Sequence, residues 1–187
     1  HPLGKQVVAR RATAGVRISV VIPALGEQAT IEAAIASARA TLDPCEVIVA
    51  DGGSADHTRD VAAASGATVV HAPGTRADAM NTGARAATGE AVLFLHADTW
   101  LEPGWAGDVR SLGPEPVGGA FRLAIEAPGW AYRLVEAAVD VRSRLLGLPY
   151  GDQALFVRRD AYDLLGGMAP FPLMEDVHLV KRLKALG

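Results

Sequence analysis

Apolar runs alternate with amphipathic stretches along the first half of the chain. The runs are short, rich in β-branched residues and without polar alternation, which is typical of strands buried on both faces of a sheet. These predicted strands lie at residues 18–22, 47–49, 68–70 and 91–95. The stretches between them place apolar residues on one helical stripe and predict helices. These predicted helices lie at residues 30–42, from 56 or 58 to 65, and 76–88. Such alternation predicts parallel strands joined by right-handed crossovers.

The second half of the chain mixes strands and helices in a different order. The predicted strands lie at residues 118–125 and 153–157. The predicted helices lie at residues 132–146, 160–165 and 175–186. No internal repeat or low-complexity linker separates the two halves. We therefore expect one domain over residues 17–187, preceded by an N-terminal tail over residues 1–16.

Polar side chains recur just after the predicted strands, near their carboxyl ends. They are Glu27, Asp51, Arg76 and Asp98. In open α/β sheets, ligands bind at this edge, where loop backbones and helix N-termini converge. Because the carboxyl ends of parallel strands meet at one edge, we expect these four side chains to lie around a common site.

Composition and charge narrow the class of protein. The chain has 187 residues, enough for one compact domain with a sizeable core. Its 18 Lys and Arg residues against 21 Asp and Glu residues give a net charge of −3. This argues against a nucleic-acid-binding protein, since phosphate backbones need a basic surface. The single cysteine, Cys45, permits neither an internal disulfide nor a zinc knuckle.

No apolar run approaches the length of about 20 residues that spans a bilayer. We expect a cytoplasmic protein. Four basic residues in the first 17 positions make peripheral association with the inner face of a membrane an alternative.

The sequence lacks the common phosphate-binding glycine loops and the zinc-protease and hydrolase motifs. Its candidate site instead combines carboxylates with one arginine. Carboxylates repel a bare polyphosphate, so such a site needs a divalent cation or a ligand with donor groups. Mg²⁺ or Mn²⁺, held by one or two carboxylates and completed by substrate phosphates, satisfies both requirements.

An ordered set of short motifs runs from residue 18 to residue 187. In chain order the motifs are Ile18-Ser19-Val20-Val21-Ile22-Pro23-Ala24 with Glu27, Val49-Ala50-Asp51-Gly52-Gly53-Ser54, Met80-Asn81-Thr82-Gly83-Ala84, Phe94-Leu95-His96-Ala97-Asp98-Thr99, Phe156-Val157-Arg158-Arg159 and Glu175-Asp176. Together they resemble family-2 glycosyltransferases with the GT-A fold. The sequence His-Ala-Asp-Thr, with the later Gly-Asp-Gln-Ala-Leu-Phe, resembles a small bacterial subgroup named arsenosugar-type or carotenoid-acid glycosyltransferases.

The resemblance implies an α/β fold of the Rossmann-like GT-A type, with a mostly parallel central sheet flanked by helices. Residues 17–100 would form the nucleotide-sugar-binding half. Residues 101–187 would form a C-terminal acceptor half. Relatives usually continue past this point, so a truncated acceptor half is one alternative.

The resemblance also implies roles for residues on the nucleotide side. Asp51 matches the carboxylate that accepts a hydrogen bond from the base, which favours uracil with its imide N–H. Glu27, with Pro23 and Ala24, would flank the base and the ribose. Arg76 matches a basic residue near the base and the phosphates, where a planar guanidinium suits bidentate contact.

A second group of matching residues lies near the phosphates and the sugar. Asp98 matches the last carboxylate of the family's D-x-D motif and would bind Mn²⁺ or Mg²⁺. His96 replaces the first Asp of that motif and would contact ribose or phosphate, ligate the metal, or serve only as a strand-end residue. Asp152 and Gln153 lie where acceptor or donor-sugar hydroxyls would be bound.

Asp176, with Glu175 beside it, matches the family's general base. The implied activity is metal-assisted, inverting transfer of a sugar from a nucleotide-diphosphate donor, UDP-linked by preference, to a hydroxyl of a small-molecule or lipid-linked acceptor. One alternative is a nucleotide-sugar-binding protein that has lost turnover through the departures at Gly26 and His96. Another is a nucleotidyltransferase, which would need a Gly-rich, basic loop after the first strand. The sequence leaves the oligomeric state open.

Overall fold

The computed structural model describes residues 16–41, 45–111, 117–121, 124, 154–169, 171 and 174–186 of the chain. Its strands are β1 (Ile18–Ala24), β2 (Glu46–Asp51), β3 (Thr68–His71), β4 (Ala91–Phe94), β5 (Gly118–Ala120) and β6 (Leu155–Arg158). Its helices are α1 (Ile31–Arg39), α2 (Thr58–Ala64), α3 (Arg76–Ala86), α4 (Trp105–Ser111), α5 (Arg159–Leu164) and α6 (Glu175–Lys184). The strands and helices predicted in the first half are present, with bounds that differ by a few residues.

The strands form one six-stranded sheet in the order β3-β2-β1-β4-β6-β5. Strands β1 to β4 pair in parallel with their neighbours. Strand β6 pairs antiparallel with β4, and β5 pairs antiparallel with β6. The sheet is therefore mostly parallel, as the sequence predicts, and its antiparallel edge comes from the second half of the chain.

Helices cover both faces of the sheet, which explains why its central strands contain continuous apolar runs. Neighbouring residues of β1 point to opposite faces. Val20 belongs to one buried cluster with Ile35 of α1. Val21 belongs to the other cluster, with Met80 of α3 and Leu179 of α6. Burial on both faces makes β1 the central element of the core.

Helix α3 packs very close to the sheet. A Cβ atom added at Gly83 would lie 2.4 Å from Val21 Cγ1, so a larger residue does not fit there without displacement. At the other end of α3, the Thr75 side chain accepts a hydrogen bond from the Asp78 backbone N–H, and Asp78 accepts one from the Thr75 N–H. This capping box fixes the helix start beside the carboxyl edge of the sheet.

The second half differs from the predictions at two points, and one of its predicted helices lies outside the described residues. Helix α4 was not predicted, because Pro103-Gly104 and Gly107 are typical of turns. Strand β5 ends at Ala120, five residues earlier than predicted. The predicted helix at residues 132–146 lies outside the described residues. Within the described part of the chain, no helix combines the length and apolar character needed to cross a membrane.

Candidate functional site

The carboxyl edge of the parallel strands brings several predicted site residues together. Ala24 of β1 pairs with Asp51 of β2, which in turn pairs with His71 of β3. Directly after β4, the Leu95 N–H donates to the Val21 carbonyl of β1 at 3.0 Å, so the chain still runs beside β1 as it enters the following loop. That loop carries Asp98. The shared edge predicted from the sequence is thus present.

Asp51 is fully buried, and its carboxylate shapes the loop that follows β2. Its Oδ2 atom accepts hydrogen bonds from the backbone N–H groups of Gly53, at 3.0 Å, and Ser54, at 3.1 Å. The Arg59 Nε atom lies 3.8 Å from the same oxygen. With an exposed fraction of 0%, the carboxylate has no accessible surface in this conformation. Asp51 therefore acts first on the conformation of its own loop.

The loops after β1 and β2 are joined by three hydrogen bonds from backbone N–H groups to side chains. Gly26 donates to Ser54 Oγ at 3.0 Å, and Glu27 donates to Thr58 Oγ1 at 2.8 Å. The third bond runs from the Gln28 N–H to Asp56 Oδ2 at 3.3 Å. Sequence reasoning missed these contacts, because they join residues 28 to 31 positions apart. They hold the two loops in a defined relative position.

Position 26 requires a left-handed backbone. Gly26 has φ +73°, and no atom lies within 4 Å of where a Cβ would be. Glycine adopts this conformation freely, and Asn is among the few other residues that tolerate it. The backbone conformation at this position is therefore one that suits glycine. The neighbouring Glu27 carboxylate accepts a hydrogen bond from Thr30 Oγ1 at 2.9 Å.

An ion pair connects the start of α3 with the start of α6. Arg76, the first residue of α3, donates from Nε to Glu175 Oε1 at 2.5 Å. Glu175 is 1% exposed and Asp176 is 5% exposed, at the start of α6. Asp176 Oδ1 accepts a hydrogen bond from the Val177 N–H at 2.7 Å. Sequence patterns gave no signal for the Arg76–Glu175 pair, whose members are 99 residues apart.

The residues predicted to serve the metal and the phosphates lie in the loop after β4. Asp98 is exposed and accepts a hydrogen bond from the Thr99 hydroxyl at 3.3 Å, while His96 is half-buried. No group of three His, Cys, Asp or Glu side chains suited to a metal ion occurs among the described residues. One exposed carboxylate fits a hard divalent cation that takes its remaining ligands from phosphate oxygens and water. Asp152 and Gln153 lie outside the described residues.

Comparison with known sequences places this architecture in a family. The family model described as Glycosyl transferase family 2 matches residues 19–111. Glucosyl-3-phosphoglycerate synthase from Mycobacterium tuberculosis is 41% identical over 99 residues. That match covers 46% of this chain and 30% of the synthase, so this chain spans less than two thirds of its curated relative.

Comparison with solved structures confirms the GT-A fold. A mannosyltransferase from Pyrobaculum calidifontis, in complex with GDP-Man and Mn²⁺, has a TM-score of 0.76 and 23% identity, covering 94% of this chain and 54% of its own. The M. tuberculosis synthase in complex with UDP has a TM-score of 0.67 and 27% identity, and the match covers 93% of this chain and 68% of the synthase chain. TarS 1-349 from S. aureus, in complex with UDP, has a TM-score of 0.70 and 16% identity, and the match covers 90% of this chain and 55% of the TarS chain.

Proposed function

Through residues 19–111 this chain belongs to glycosyl transferase family 2, and we propose that it transfers a sugar from a UDP-linked donor to an acceptor hydroxyl with the help of Mn²⁺ or Mg²⁺. The observation that carries the proposal is that Asp51 ends β2, Arg76 begins α3 directly after β3, and Asp98 follows β4, so that all three lie at the carboxyl edge of the sheet, where Arg76 bonds to Glu175, the neighbour of Asp176. Relatives with the same fold support it, because the M. tuberculosis synthase has been solved with Mn²⁺, UDP and glucosyl-3-phosphoglycerate.

In this proposal the loops after β1 and β2 bind the nucleoside. Pro23 and Ala24 end β1 at this edge, and the bonded loop at Gly26 and Glu27 would flank the base and the ribose. Asp51 holds the facing loop through its bonds to two backbone N–H groups. A direct bond from its carboxylate to uracil would require this loop to shift, since the side chain is buried.

Arg76 and Asp98 would serve the diphosphate. Asp98 would hold a divalent cation, which would supply positive charge to the departing diphosphate. The Arg76 guanidinium would donate to phosphate oxygens in a planar, directed arrangement. His96, in the same loop as Asp98, would lie near the ribose or the phosphates. Two positive groups acting on one leaving group stabilise the charge that develops there.

Asp176 would act as the general base. It would accept the proton of an acceptor hydroxyl while that oxygen attacks the anomeric carbon from the side opposite the diphosphate. Such a direct displacement inverts the anomeric configuration. Asp152 and Gln153 would bind sugar or acceptor hydroxyls. We propose a small-molecule or lipid-linked acceptor, with the protein acting in the cytoplasm or at the inner face of the membrane.

The loop after β1 favours sugar transfer over nucleotidyl transfer. A nucleotidyltransferase would use this loop to bind phosphates through free backbone N–H groups. Here the N–H groups of Gly26, Glu27 and Gln28 are already donated to side chains of the neighbouring loop.

The proposal is tested by calorimetry with UDP, in the presence and absence of Mn²⁺. We expect UDP to bind, and Mn²⁺ to strengthen its binding by about tenfold or more. The variant Asp98→Ala should lose this metal effect. The variant Asp108→Ala, which removes an exposed carboxylate on α4, is the matched control and should keep it.

Three outcomes would contradict parts of the proposal. Absence of UDP binding by the unaltered protein, with or without Mn²⁺, would overturn the donor assignment. Tighter binding of GDP than of UDP would overturn the uridine preference. A metal effect that persists in Asp98→Ala would exclude Asp98 as the metal ligand.

A further inference from the structure

Glu175 and Asp176 are consecutive residues with different surroundings. The Glu175 side chain is 1% exposed, and its Oε1 atom is 2.5 Å from Arg76 Nε. A general base must reach the hydroxyl from which it takes a proton. Asp176 is also buried, at 5% exposed, but only Glu175 has a carboxylate oxygen paired with an arginine. That ion pair occupies the oxygen that would take the proton, so of the two residues Glu175 is the less suited to the role.

Arg76 is the exposed partner of this pair. Its side chain is 44% exposed, and among the described residues Glu175 is its only hydrogen-bond acceptor. A guanidinium has five N–H donors in a rigid plane. Fixing Nε on a buried carboxylate leaves the donors of the two terminal nitrogens for a ligand, in an orientation that the protein sets.

The chain adopts a left-handed conformation at the residue directly before α6. Met174 has φ +66°, in the left-handed region that residues other than glycine rarely adopt. Such conformations persist where the surrounding structure imposes them, and they cluster at functional sites. Here the left-handed residue immediately precedes the two acidic residues of the site, and its own side chain is half exposed.

We propose that Glu175 is a positioning residue for the nucleotide: through Arg76 Nε it orients the guanidinium that binds the donor diphosphate, while the neighbouring Asp176 acts on the acceptor. This rests on the proposed function. A preformed arginine orientation reduces the ordering that nucleotide binding would otherwise require. The first turn of α6 thus contributes to donor affinity through Glu175 and to the chemical step through Asp176.

A double-mutant cycle on UDP affinity tests this proposal. The variants are Glu175→Gln, Arg76→Gln and both together, measured by calorimetry with Mn²⁺. Glutamine keeps the size of the side chain and an acceptor oxygen but removes the charge that fixes the guanidinium. We expect Glu175→Gln to weaken UDP binding by about tenfold when Arg76 is present, and by less than about twofold when it is absent. Asp163→Asn, an exposed carboxylate on α5, is the matched control and should bind like the unaltered protein.

The outcomes separate this proposal from a structural or catalytic role for Glu175. An equal loss of affinity in both Arg76 backgrounds would indicate a structural role and overturn the proposal. Unchanged UDP affinity in Glu175→Gln would also overturn it, while leaving the proposed function intact. Absence of UDP binding by the unaltered protein would overturn the proposed function itself, and this proposal with it.

A second variant keeps the test valid if Glu175→Gln does not fold. Arg76→Lys retains the positive charge but has neither an Nε donor nor a planar group. We expect it to weaken UDP binding by about tenfold as well. Unaltered UDP affinity in Arg76→Lys would overturn the proposal, because it would show that the orientation of the guanidinium does not matter.

Discussion

The carboxylates of the site differ most in their partners and exposure. Asp98 is open to solvent and has a neighbouring hydroxyl as its partner. Asp51 is fully buried and bonded to backbone N–H groups of its own loop. Glu175 is buried against Arg76, whereas Asp176 bonds to a backbone N–H at the start of its helix. These differences in partner and exposure are the basis for the different roles that we propose for the four carboxylates.

At this scale we predict separate effects on turnover and affinity for Asp176→Asn. If Asp176 is the general base that we propose, its loss should lower sugar transfer or donor hydrolysis by about 100-fold or more. UDP affinity should change by less than about twofold, because the side chain is assigned to the acceptor. Steady-state kinetics and calorimetry measure the two quantities, and Asp163→Asn is the control. An equal loss of UDP affinity would indicate that Asp176 has a structural role.

Helix α3 is the element that joins the parallel part of the sheet to the second half of the chain. Asn81 donates to the Met168 carbonyl at 2.9 Å and accepts from the Met168 N–H at 2.9 Å. The Tyr162 hydroxyl of α5 also donates to Asn81, at 2.7 Å. Burial raises the pKa of this phenol, which keeps it protonated as a donor. At the end of α3, Arg159 donates to the carbonyls of Ala84 and Ala87, both at 2.6 Å.

We predict that Asn81→Ala destabilises the protein by about 2–4 kcal/mol, because two buried donors lose their acceptor. Tyr162→Phe removes one donor and should cost about 1 kcal/mol. Thr82→Ala, which alters an adjacent hydroxyl bonded to the exposed Arg85, should change stability by less than about 0.5 kcal/mol. Urea unfolding measures all three. Equal values for Asn81→Ala and Thr82→Ala would contradict the connecting role of Asn81.

In the molecule as a whole, the carboxyl ends and the amino ends of the parallel strands carry different groups of polar residues. The carboxyl edge carries the candidate site. At the opposite edge, Glu46 of β2 accepts hydrogen bonds from the Ser19 hydroxyl at 2.6 Å and from the Thr88 N–H at 2.8 Å. The Gly89 N–H donates to Ser19 Oγ at 2.9 Å. This network joins β1, β2 and the segment before β4, away from the site.

The Glu46 network predicts a loss of stability in acid. Burial opposes ionisation, but the hydrogen bonds from Ser19 and Thr88 outweigh it and lower the pKa of Glu46 below its ordinary value of 4.5. A lowered pKa in the folded state contributes stability above pH 4.5, and this contribution is lost as the pH falls through the lower, folded-state value. Glu46→Gln should therefore be less stable than the unaltered protein by about 1 kcal/mol at pH 7, with the difference shrinking below pH 4.

Urea unfolding between pH 7 and pH 3 measures this dependence. Glu102→Gln, at an exposed position before α4, is the control and should follow the unaltered protein at every pH. A difference between Glu46→Gln and the unaltered protein that stays constant down to pH 3 would show that ionisation of Glu46 does not contribute.

The sequence by itself determined the order of strands and helices in the first half, the parallel direction of the sheet and the edge where the polar residues collect. These features follow from local rules: the period of the apolar pattern, the length of each run, and the handedness of crossovers. The family resemblance then connected that edge to nucleotide-sugar chemistry. The short helix α4 escaped prediction, since its glycines and proline obscured the pattern.

Only the tertiary structure decided how the polar residues are used. The Arg76–Glu175 pair spans 99 residues, and the bonds between Asn81 and Met168 span 87. No local pattern encodes such contacts, because they depend on how α3, α5 and α6 pack on one face of the sheet. The burial of Asp51 and of Glu175 is likewise a property of packing. The sequence placed the acidic residues at the site, and the folded chain gave each of them its partner, because burial and partners arise only when distant segments come together.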